Sequence, residues 1–291
     1  MTRALVVKAS GPLTTVQDLG RPGQSSLGVG PSGAADRRSL RLANRLVGNP
    51  ESAAGLEVTL GGLVVRAVGD LELAVTGMAV EVTLDTRPVA MNAPLAVGDG
   101  QQLRLGTGRR GVRSYLAVRG GVQVTEVLGS RSTDVLSGLR PPPVAAGQTL
   151  TVGEPPATHP DVDVAPVAEV GSAEATLRIV PGPRDDWFTP SALETLLDYP
   201  YEVTPDSNRV AMKLSGRRLD RRGADELPSE GVVRGALQVP PSGQPVLFLA
   251  DHPVTGGYPV IAVVVDADTD VAAQVRPGGS LRFARADQGA P

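Results

Sequence analysis

The sequence predicts a mainly β fold, organised as two β-barrel lobes with a few short helices. In several short runs, apolar residues alternate with polar ones at every second position, as they do in strands with one buried face. These runs follow one another at intervals of about ten residues, with Gly, Pro or Asp between them. The chain contains 35 Gly and 26 Pro among its 291 residues, without a collagen-like period. Many short strands joined by tight turns are typical of a sandwich or a barrel.

The alternating runs and the continuous apolar runs predict two kinds of strand. Strands with one buried face are predicted at residues 71–75, 80–84, 102–105 and 176–180. Strands buried on both faces are predicted at residues 115–118, 246–249 and 261–265, where polar residues are almost absent.

Three short helices interrupt this pattern, at residues 35–47, 190–197 and 269–275. For the first helix, Ser32 is the predicted N-cap and Gly48 is suited to the position after the C-cap. For the second, Thr189 is the predicted N-cap and Pro190 begins the first turn.

A change in composition predicts the domain boundary. Residues 154–175 are rich in Pro, Ala, Glu and Asp, and we interpret them as a linker. Residues 1–153 then form an N-terminal β lobe, and residues 176–291 form a C-terminal β-barrel lobe.

Composition and charge exclude several classes of function. A formal net charge of -3 gives no electrostatic reason to bind nucleic acid or an anionic membrane. The absence of cysteine excludes disulfides and thiolate catalysis. No run approaches the roughly 20 apolar residues of a membrane span, and the first apolar run is too short for a signal peptide. The sequence therefore predicts a cytoplasmic protein.

The motifs of a self-sufficient enzyme are missing. The sequence contains no phosphate-binding P-loop and no G-x-S-x-G nucleophile motif. With only His159 and His252, a Ser-His-Asp triad or a multi-histidine metal site is not expected, and no metal-ligating residue is predicted. Chemistry must rest on carboxylates, arginines, hydroxyls and backbone groups. We therefore expect this chain to supply part of an active site.

The tetrapeptide A-M-K-L at residues 211–214 looks like a biotin-attachment motif. Such a motif needs a domain of its own with matching hairpin strands, and the sequence around Lys213 does not provide one. We interpret Lys213 as a strand residue with its amine in solvent, and we expect no biotin on this chain.

Five segments are richer in Gly and polar residues than a plain core requires. They cover residues 11–49, 115–133, 182–188, 229–240 and 251–259, and include T-T-V-Q-D-L-G-R-P-G, L-G-S-R-S-T and T-G-G-Y-P. In this order they resemble the family known as allophanate hydrolase subunit 2, as biotin-dependent carboxyltransferase, or as the C subunit of 5-oxoprolinase. Two positions depart from the family pattern: residues 207–211 read S-N-R-V-A where S-N-R-M-G is usual, and Val254 replaces a second Thr.

The resemblance implies a cyclophilin-like β-barrel and a homologous partner, the first carboxyltransferase half, which completes the site. It also implies a third subunit, and ATP with Mg²⁺ at the level of the complex. A free-standing chain favours ATP-dependent cleavage of 5-oxoproline to glutamate. Two alternatives stay open: a carboxyltransferase half of urea carboxylase type, and a non-enzymatic antagonist of a kinase inhibitor.

Three residues are the catalytic candidates. Arg21 and Arg119 lie in Gly-rich loops, where a guanidinium can bind a carboxylate or a phosphate, although either could instead bind loop carbonyls. Asp251 is the preferred general base, because Asp18 can cap its own turn and Asp36 suits a helix N-terminus.

The candidate substrate- or nucleotide-binding residues lie in the segments that carry the resemblance or beside them: Gln17, Asp18, Ser130, Arg131, Ser132, Arg209, Gln238, Thr255, Gly256, Gly257 and Tyr258. Ser130, Arg131 and Ser132 could hold an anion on one turn, or the two hydroxyls could bond within the turn itself. Gly256 and Gly257 are expected to form a tight turn that presents backbone N–H groups.

Overall fold

The computed structural model describes residues 3–168, 170–223 and 227–286. The chain divides into two compact units. The first unit contains the chain up to Arg21, Ser32–Asp134 and Gly138–Gly171; the second contains Pro22–Pro31, Val135–Ser137 and the chain from Ser172 onward. Residues 154–171 of the predicted linker therefore cluster with the first unit, and two short stretches of the N-terminal half cluster with the second.

The described residues of the first unit form twelve strands and one α-helix. The strands are β1 (Ala4–Ser10), β2 (Leu13–Gln17), β3 (Gly55–Thr59), β4 (Leu63–Val68), β5 (Leu71–Gly77), β6 (Val82–Leu84), β7 (Arg87–Val89), β8 (Leu95–Val97), β9 (Gln102–Leu105), β10 (Arg113–Val118), β11 (Val122–Gln123) and β12 (Thr149–Val152). The helix is α1 (Arg37–Leu46).

Two sheets enclose the core of the first unit. One has the strand order β11-β12-β1-β4-β9-β6-β7 and the other β2-β3-β10-β5-β8. Apolar residues from both sheets, such as Leu5, Leu56 and Leu73, pack in one cluster. The outer face of the second sheet is covered by α1, whose Leu40 packs near Tyr115. This explains why every residue of β10 is buried, as its apolar sequence predicts.

The second unit is built around a closed barrel. Its described strands are β13 (Glu174–Pro181), β14 (Tyr201–Val203), β15 (Ala211–Ser215), β16 (Glu230–Gly231), β17 (Ala236–Gln238), β18 (Val246–Phe248), β19 (Thr255–Gly256), β20 (Val260–Val264) and β21 (Ser280–Arg285). Its helices are α2 (Pro190–Asp198), α3 (Asp266–Ala272) and the 3-10 turns Ser25–Leu27 and Asp185–Trp187.

The barrel closes in the order β13-β20-β17-β18-β15-β14-β21, and only the closing pair β13 and β21 is parallel. The short strands β16 and β19 pair with each other outside the barrel. The predicted mainly β fold with a few short helices is confirmed. The closed barrel belongs to the second unit, whereas the first unit consists of two sheets. No helix among the described residues is long and apolar enough to cross a membrane.

The start of α1 differs from the prediction. Asp36 is the N-cap, and its carboxylate accepts from the Ser39 backbone N–H at 2.9 Å. Ser32 has a φ of 52° and donates its hydroxyl to the Thr133 carbonyl instead. Gly48, with a φ of 70°, follows the C-cap as predicted.

The other two helices differ from prediction only in detail. The residue before α2 is Thr189, which makes no side-chain capping bond. The third helix, α3, begins three residues earlier than the predicted start at residue 269.

Candidate functional site

Asp18 is the centre of a buried hydrogen-bond cluster in the first unit. Its Oδ1 accepts from the Ser130 hydroxyl at 2.7 Å, the Ser132 hydroxyl at 2.5 Å and the Gly20 N–H at 2.7 Å. Its Oδ2 accepts from the Arg131 N–H at 2.6 Å. A carboxylate that accepts this many bonds holds its neighbours in place. The cluster therefore joins the loop after β2 to residues 130–132.

The two serine hydroxyls bind Asp18, so they do not form an anion site with the Arg131 side chain. Arg131 Nη1 donates to Glu126 Oε1 at 2.6 Å, and Arg131 Nε donates to the Val124 carbonyl at 3.1 Å. This is the alternative in which local polar groups satisfy one another, with Asp18 added as the common acceptor.

Arg21 carries a buried positive charge without an ion pair among the described residues. The residue is 1% exposed. Its Nε donates to the Val127 carbonyl at 3.3 Å and its Nη2 donates to the Ser132 carbonyl. Its Nη1 is buried and has no hydrogen-bond partner in the described part of the chain. Burial of a cation without a counter-charge costs several kcal/mol, so this guanidinium is suited to an anionic oxygen.

Gln17 and Thr133 add two more polar atoms to the same part of the unit. Gln17 Nε2 donates to the Thr133 carbonyl at 2.9 Å, while Gln17 Oε1 and Thr133 Oγ1 are buried without a hydrogen bond to any residue that the structure describes. Thr133 was not among the predicted site residues, although it is the last residue of the L-G-S-R-S-T segment. Buried polar atoms in native proteins are rarely left unpaired, so their concentration here marks a candidate binding site.

A tight turn adjoins Arg21. Val127 and Ser130 form an isolated antiparallel bridge, with Leu128 and Gly129 at the tip. Leu128 has a φ of 53°, a left-handed conformation that is costly for a branched side chain, and it is 41% exposed. Because the Val127 carbonyl binds Arg21, a movement of this turn would free a second N–H of the guanidinium.

Arg119 binds main-chain carbonyls, as one of the two predicted alternatives requires. Its Nη1 donates to the Val47 carbonyl at 3.0 Å, and its Nη2 donates to the carbonyls of Pro156 and Thr158. These bonds fasten residues 156–158 to the end of α1. A catalytic role for Arg119 stays a prediction, and the geometry assigns it a positioning task.

In the second unit, Asp251 is paired with Arg209. Arg209 Nε donates to Asp251 Oδ2 and Arg209 Nη2 donates to Oδ1, both at 3.0 Å. The Val135 N–H also donates to Oδ2 at 3.1 Å. Asp251 is 1% exposed and Arg209 is 2% exposed. A carboxylate with both oxygens held in a buried bidentate pair is poorly placed to take a proton from a substrate.

The loop at residues 255–258 is held by a side chain beside it. Gln238 Nε2 donates to the Tyr258 carbonyl at 2.8 Å, and a Cβ at Gly256 would lie 2.5 Å from the same nitrogen. A side chain at position 256 would therefore displace Gln238 from this hydrogen bond. Thr255, Gly257 and Tyr258 are exposed.

An ion pair that sequence analysis missed lies at the base of this loop. Glu230 is paired with Gly256 across β16 and β19, and Arg184 Nε donates to Glu230 Oε2 at 2.9 Å. The hydrogen bond that Arg184 donates lowers the pKa of the Glu230 carboxyl. Because the partners are 46 positions apart, the sequence carries no local signal of this pair.

The remaining interpretations concern His252 and Lys213. His252 is buried and its Nδ1 lies 2.7 Å from the Pro253 carbonyl. The Lys213 side chain is 60% exposed, and its amine lies 3.4 Å from Asp206 Oδ2. Lys213 is thus a strand residue with a solvated amine.

Comparison with known proteins places this arrangement in a family. The family described as carboxyltransferase domain, subdomain A and B, matches residues 27–285. The C subunit of Escherichia coli 5-oxoprolinase is 36% identical over 282 residues, which are 96% of this chain and 90% of that protein.

Longer proteins contain the same fold. Urea amidolyase of Lachancea kluyveri is 34% identical over 306 residues, which are 96% of this chain and 17% of that protein. The crystal structure of Kluyveromyces lactis urea amidolyase has a TM-score of 0.89 at 30% identity over 97% of this chain and 18% of that one. The chain thus spans less than a fifth of these urea amidolyases.

Proposed function

Because this chain belongs to the carboxyltransferase domain family, subdomain A and B, we propose that it is one subunit of an ATP-dependent enzyme that cleaves 5-oxoproline to glutamate. The C subunit of E. coli 5-oxoprolinase supports this choice, since 90% of its length is matched by 96% of this chain. The enzyme is then a hydrolase of a cyclic amide. Its other subunits are a homologous first carboxyltransferase half and a third subunit.

The buried Arg21 charge is the observation that carries the proposal. A lactam is a poor electrophile, and ATP makes it reactive by transferring a phosphoryl group to the amide oxygen. Water then adds to the carbonyl carbon, and the ring C–N bond breaks with protonation of nitrogen to leave an acyl phosphate. A second water hydrolyses this acyl phosphate to the carboxylate and phosphate. Each of these steps places negative charge on an oxygen atom. The Arg21 Nη1 group, which has no partner among the described residues, is a donor suited to such an oxygen.

ATP and Mg²⁺ are proposed for the complex and not for this chain alone. Arg21 fits a phosphate or carboxylate oxygen. The residues that the structure describes include no group of three or more His, Cys, Asp or Glu side chains that could hold a metal ion, so no step is assigned to Mg²⁺ here. The Asp18 cluster holds the chain around Arg21.

Reconstitution tests the proposal. Purified partner subunits, ATP and 5-oxoproline are combined with this chain, and glutamate is measured. We expect glutamate only when this chain is present. Arg21→Gln should lower kcat by about 10² or more, the usual effect of losing a preorganised donor. Arg21→Lys keeps the charge and should retain more activity than Arg21→Gln.

Arg282→Gln is the matched control, because Arg282 makes a surface ion pair with Glu174. It should leave kcat unchanged. Circular dichroism and thermal unfolding establish that each variant is folded. Glutamate formation without this chain, or full activity of a folded Arg21→Gln variant, would contradict the proposal.

A second candidate function is a carboxyltransferase half that accepts carboxybiotin. It is favoured by the urea amidolyase of L. kluyveri, which matches 96% of this chain. This function requires binding to a biotinylated carrier protein. The chain and its partner half are mixed with such a carrier and labelled bicarbonate, and carboxylation of urea is measured. Labelled product without 5-oxoproline turnover would favour this function over the first.

A further inference from the structure

The proposed reaction assigns no task to a cleft in the first unit. It has a volume of about 570 Å³, which is in the usual range for small-molecule sites. Its lining consists of Arg3, Asp70, Leu71, Glu72, Pro94, Ala96, Arg119, Pro155 and His159. We propose that this cleft binds a small amino acid through its ammonium and carboxylate groups.

Glu72 provides the acceptor for the ammonium group. Its Oε2 lies 2.8 Å from His159 Nε2, whereas its Oε1 is buried and has no hydrogen-bond partner among the described residues. A buried carboxylate oxygen without a donor is destabilising until an N–H reaches it. An ammonium group offers three such donors together with the opposite charge.

His159 leaves this oxygen of Glu72 to the cleft. Its Nδ1 lies 3.0 Å from the Pro160 carbonyl, which can only accept a hydrogen bond. Its Nε2 faces the Glu72 carboxylate. His159 therefore occupies one Glu72 oxygen, and the other oxygen stays available to a ligand.

The cationic side chains of the cleft are the proposed partners of the ligand's carboxylate group. Arg3 and Arg119 stand against two carboxylates, Asp70 and Glu72, so the permanent charges of the lining balance. Arg3 uses Nη1 for the Gly153 carbonyl at 3.0 Å and Nη2 for the Arg119 carbonyl at 3.2 Å. An ammonium or a carboxylate ligand alone would unbalance these charges, whereas an amino acid carries both groups and leaves them balanced.

The wall of the cleft is firmly held, which favours a built site over a chance gap. Arg119 binds the carbonyls of Pro156 and Thr158 and so fixes the segment that faces β5. On the opposite wall, Glu72 and Ala96 are partners across β5 and β8. The apolar part of the lining comes from Leu71, Pro94 and Ala96 and suits a short aliphatic side chain.

Calorimetric titration of the full chain with L-glutamate, L-glutamine and L-alanine tests the proposal. We expect saturable binding of at least one of them. Glu72→Gln removes the negative charge and should weaken binding at least tenfold. Ala96→Trp fills the cleft beside Glu72 and should abolish binding, while thermal unfolding shows that the fold is intact.

Arg21→Gln separates this site from the proposed reaction. It should bind the amino acid like the wild-type chain even where it no longer supports glutamate formation. Ethylamine and acetate serve as half-ligand probes, and each should bind more weakly than the whole amino acid. Absence of binding at millimolar concentration, or binding that neither Glu72→Gln nor Ala96→Trp weakens, would overturn the proposal.

Discussion

Two buried arginines of this chain have different electrostatic surroundings. Arg209 is enclosed with Asp251, and both oxygens of that carboxylate accept from it. Arg21 is equally buried, yet it binds two carbonyls, and its Nη1 meets no acceptor among the described residues. A neutralised pair contributes to folding, whereas a cation without a counter-charge is available to a ligand. Substitution of Arg209 should therefore affect mainly stability, and substitution of Arg21 should affect mainly turnover.

For the pair, Arg209→Met is expected to lower the free energy of unfolding by about 3 to 5 kcal/mol, because it leaves Asp251 buried without its counter-charge. Urea unfolding measures the loss. The matched control is Lys213→Ala, which removes an exposed pair with Asp206 and should cost about 1 kcal/mol or less.

Variants of the same pair test whether Asp251 takes part in the reaction or only positions the loop. If Asp251 only positions the loop, Asp251→Asn should lose stability, and turnover of the folded fraction should change little. If Asp251→Asn stays as stable as the wild-type chain but lowers kcat a hundredfold or more, Asp251 acts on the substrate and the positioning role is wrong. Stability and kcat are measured on the same preparations.

The polar residues of the candidate site could be predicted from the sequence, but their hydrogen-bond and ion-pair partners could not. The Gly-rich segments identified Asp18, Arg21 and Asp251 as unusual, and each lies in a buried polar cluster. Asp18 meets Ser132 across 114 residues, and Arg209 meets Asp251 across 42. Such pairs arise only when distant strands align, and no local pattern encodes them. For the same reason, the sequence alone could not decide whether Arg119 binds a ligand or main-chain carbonyls.

At the level of elements, the start of α1 depends on which polar residue reaches the first free N–H groups. Asp36→Ala should lower stability by about 1 to 2 kcal/mol, since the carboxylate caps the Ser39 N–H. Asp36→Asn retains a capping acceptor and should lose less. Thermal unfolding compares the two variants. Equal stability of Asp36→Ala and the wild-type chain would show that the cap contributes nothing.

The turn at Val127 and Ser130 offers a test of stored strain. Leu128→Gly removes the side chain that makes a φ of 53° costly. The free energy of unfolding should therefore stay the same or rise by up to about 1 kcal/mol. If the exposed Leu128 side chain contributes to the reaction, the same variant should lower kcat. A clear loss of stability would mean that the leucine packs favourably and that strain is not its main effect.

Periodicity predicts the positions of helices and strands more accurately than it predicts where they begin and end. The alternation at residues 102–105 matches β9 in full, and the continuous apolar run at 115–118 lies within β10. The cap of α1 was misplaced because Ser32 and Asp36 are both good capping residues. Ser32 lies too far before the first helical residue, Arg37, to cap it, and donates its hydroxyl to the Thr133 carbonyl instead. That contact depends on the packing of two loops.

For the whole molecule, the mainly β class follows from turn spacing and alternation, while the closure of the strands does not. The strands of the second unit close into a barrel, whereas those of the first pair in two separate sheets around a shared core. Both solutions bury alternate residues, so both produce the same period of two. What distinguishes them is the pairing of β13 with β21, about a hundred residues apart and parallel.

Two buried tyrosines are expected to limit the stability of both units at alkaline pH. In the barrel, burial raises the pKa of Tyr201 from 10.0 to about 12, and its hydroxyl donates to the Arg217 carbonyl at 2.9 Å. In the first unit, burial and the Glu57 charge raise the pKa of Tyr115 well above its usual range. A group whose pKa is raised by folding contributes stability that is complete below its unfolded pKa. That stability disappears as the pH rises through the folded value.

Stability should therefore hold up to about pH 10 and fall between about pH 10 and 12, with Tyr201 accounting for a loss on the order of 2 to 3 kcal/mol. Tyr201→Phe should cost about 1 kcal/mol at pH 9, because the Arg217 carbonyl loses its donor, but it should flatten the alkaline decline. Urea unfolding of both chains at several pH values between 9 and 12 measures the difference. Parallel decline of the two chains would mean that Tyr201 does not control the alkaline limit and that the charge of Tyr115 or of the surface does.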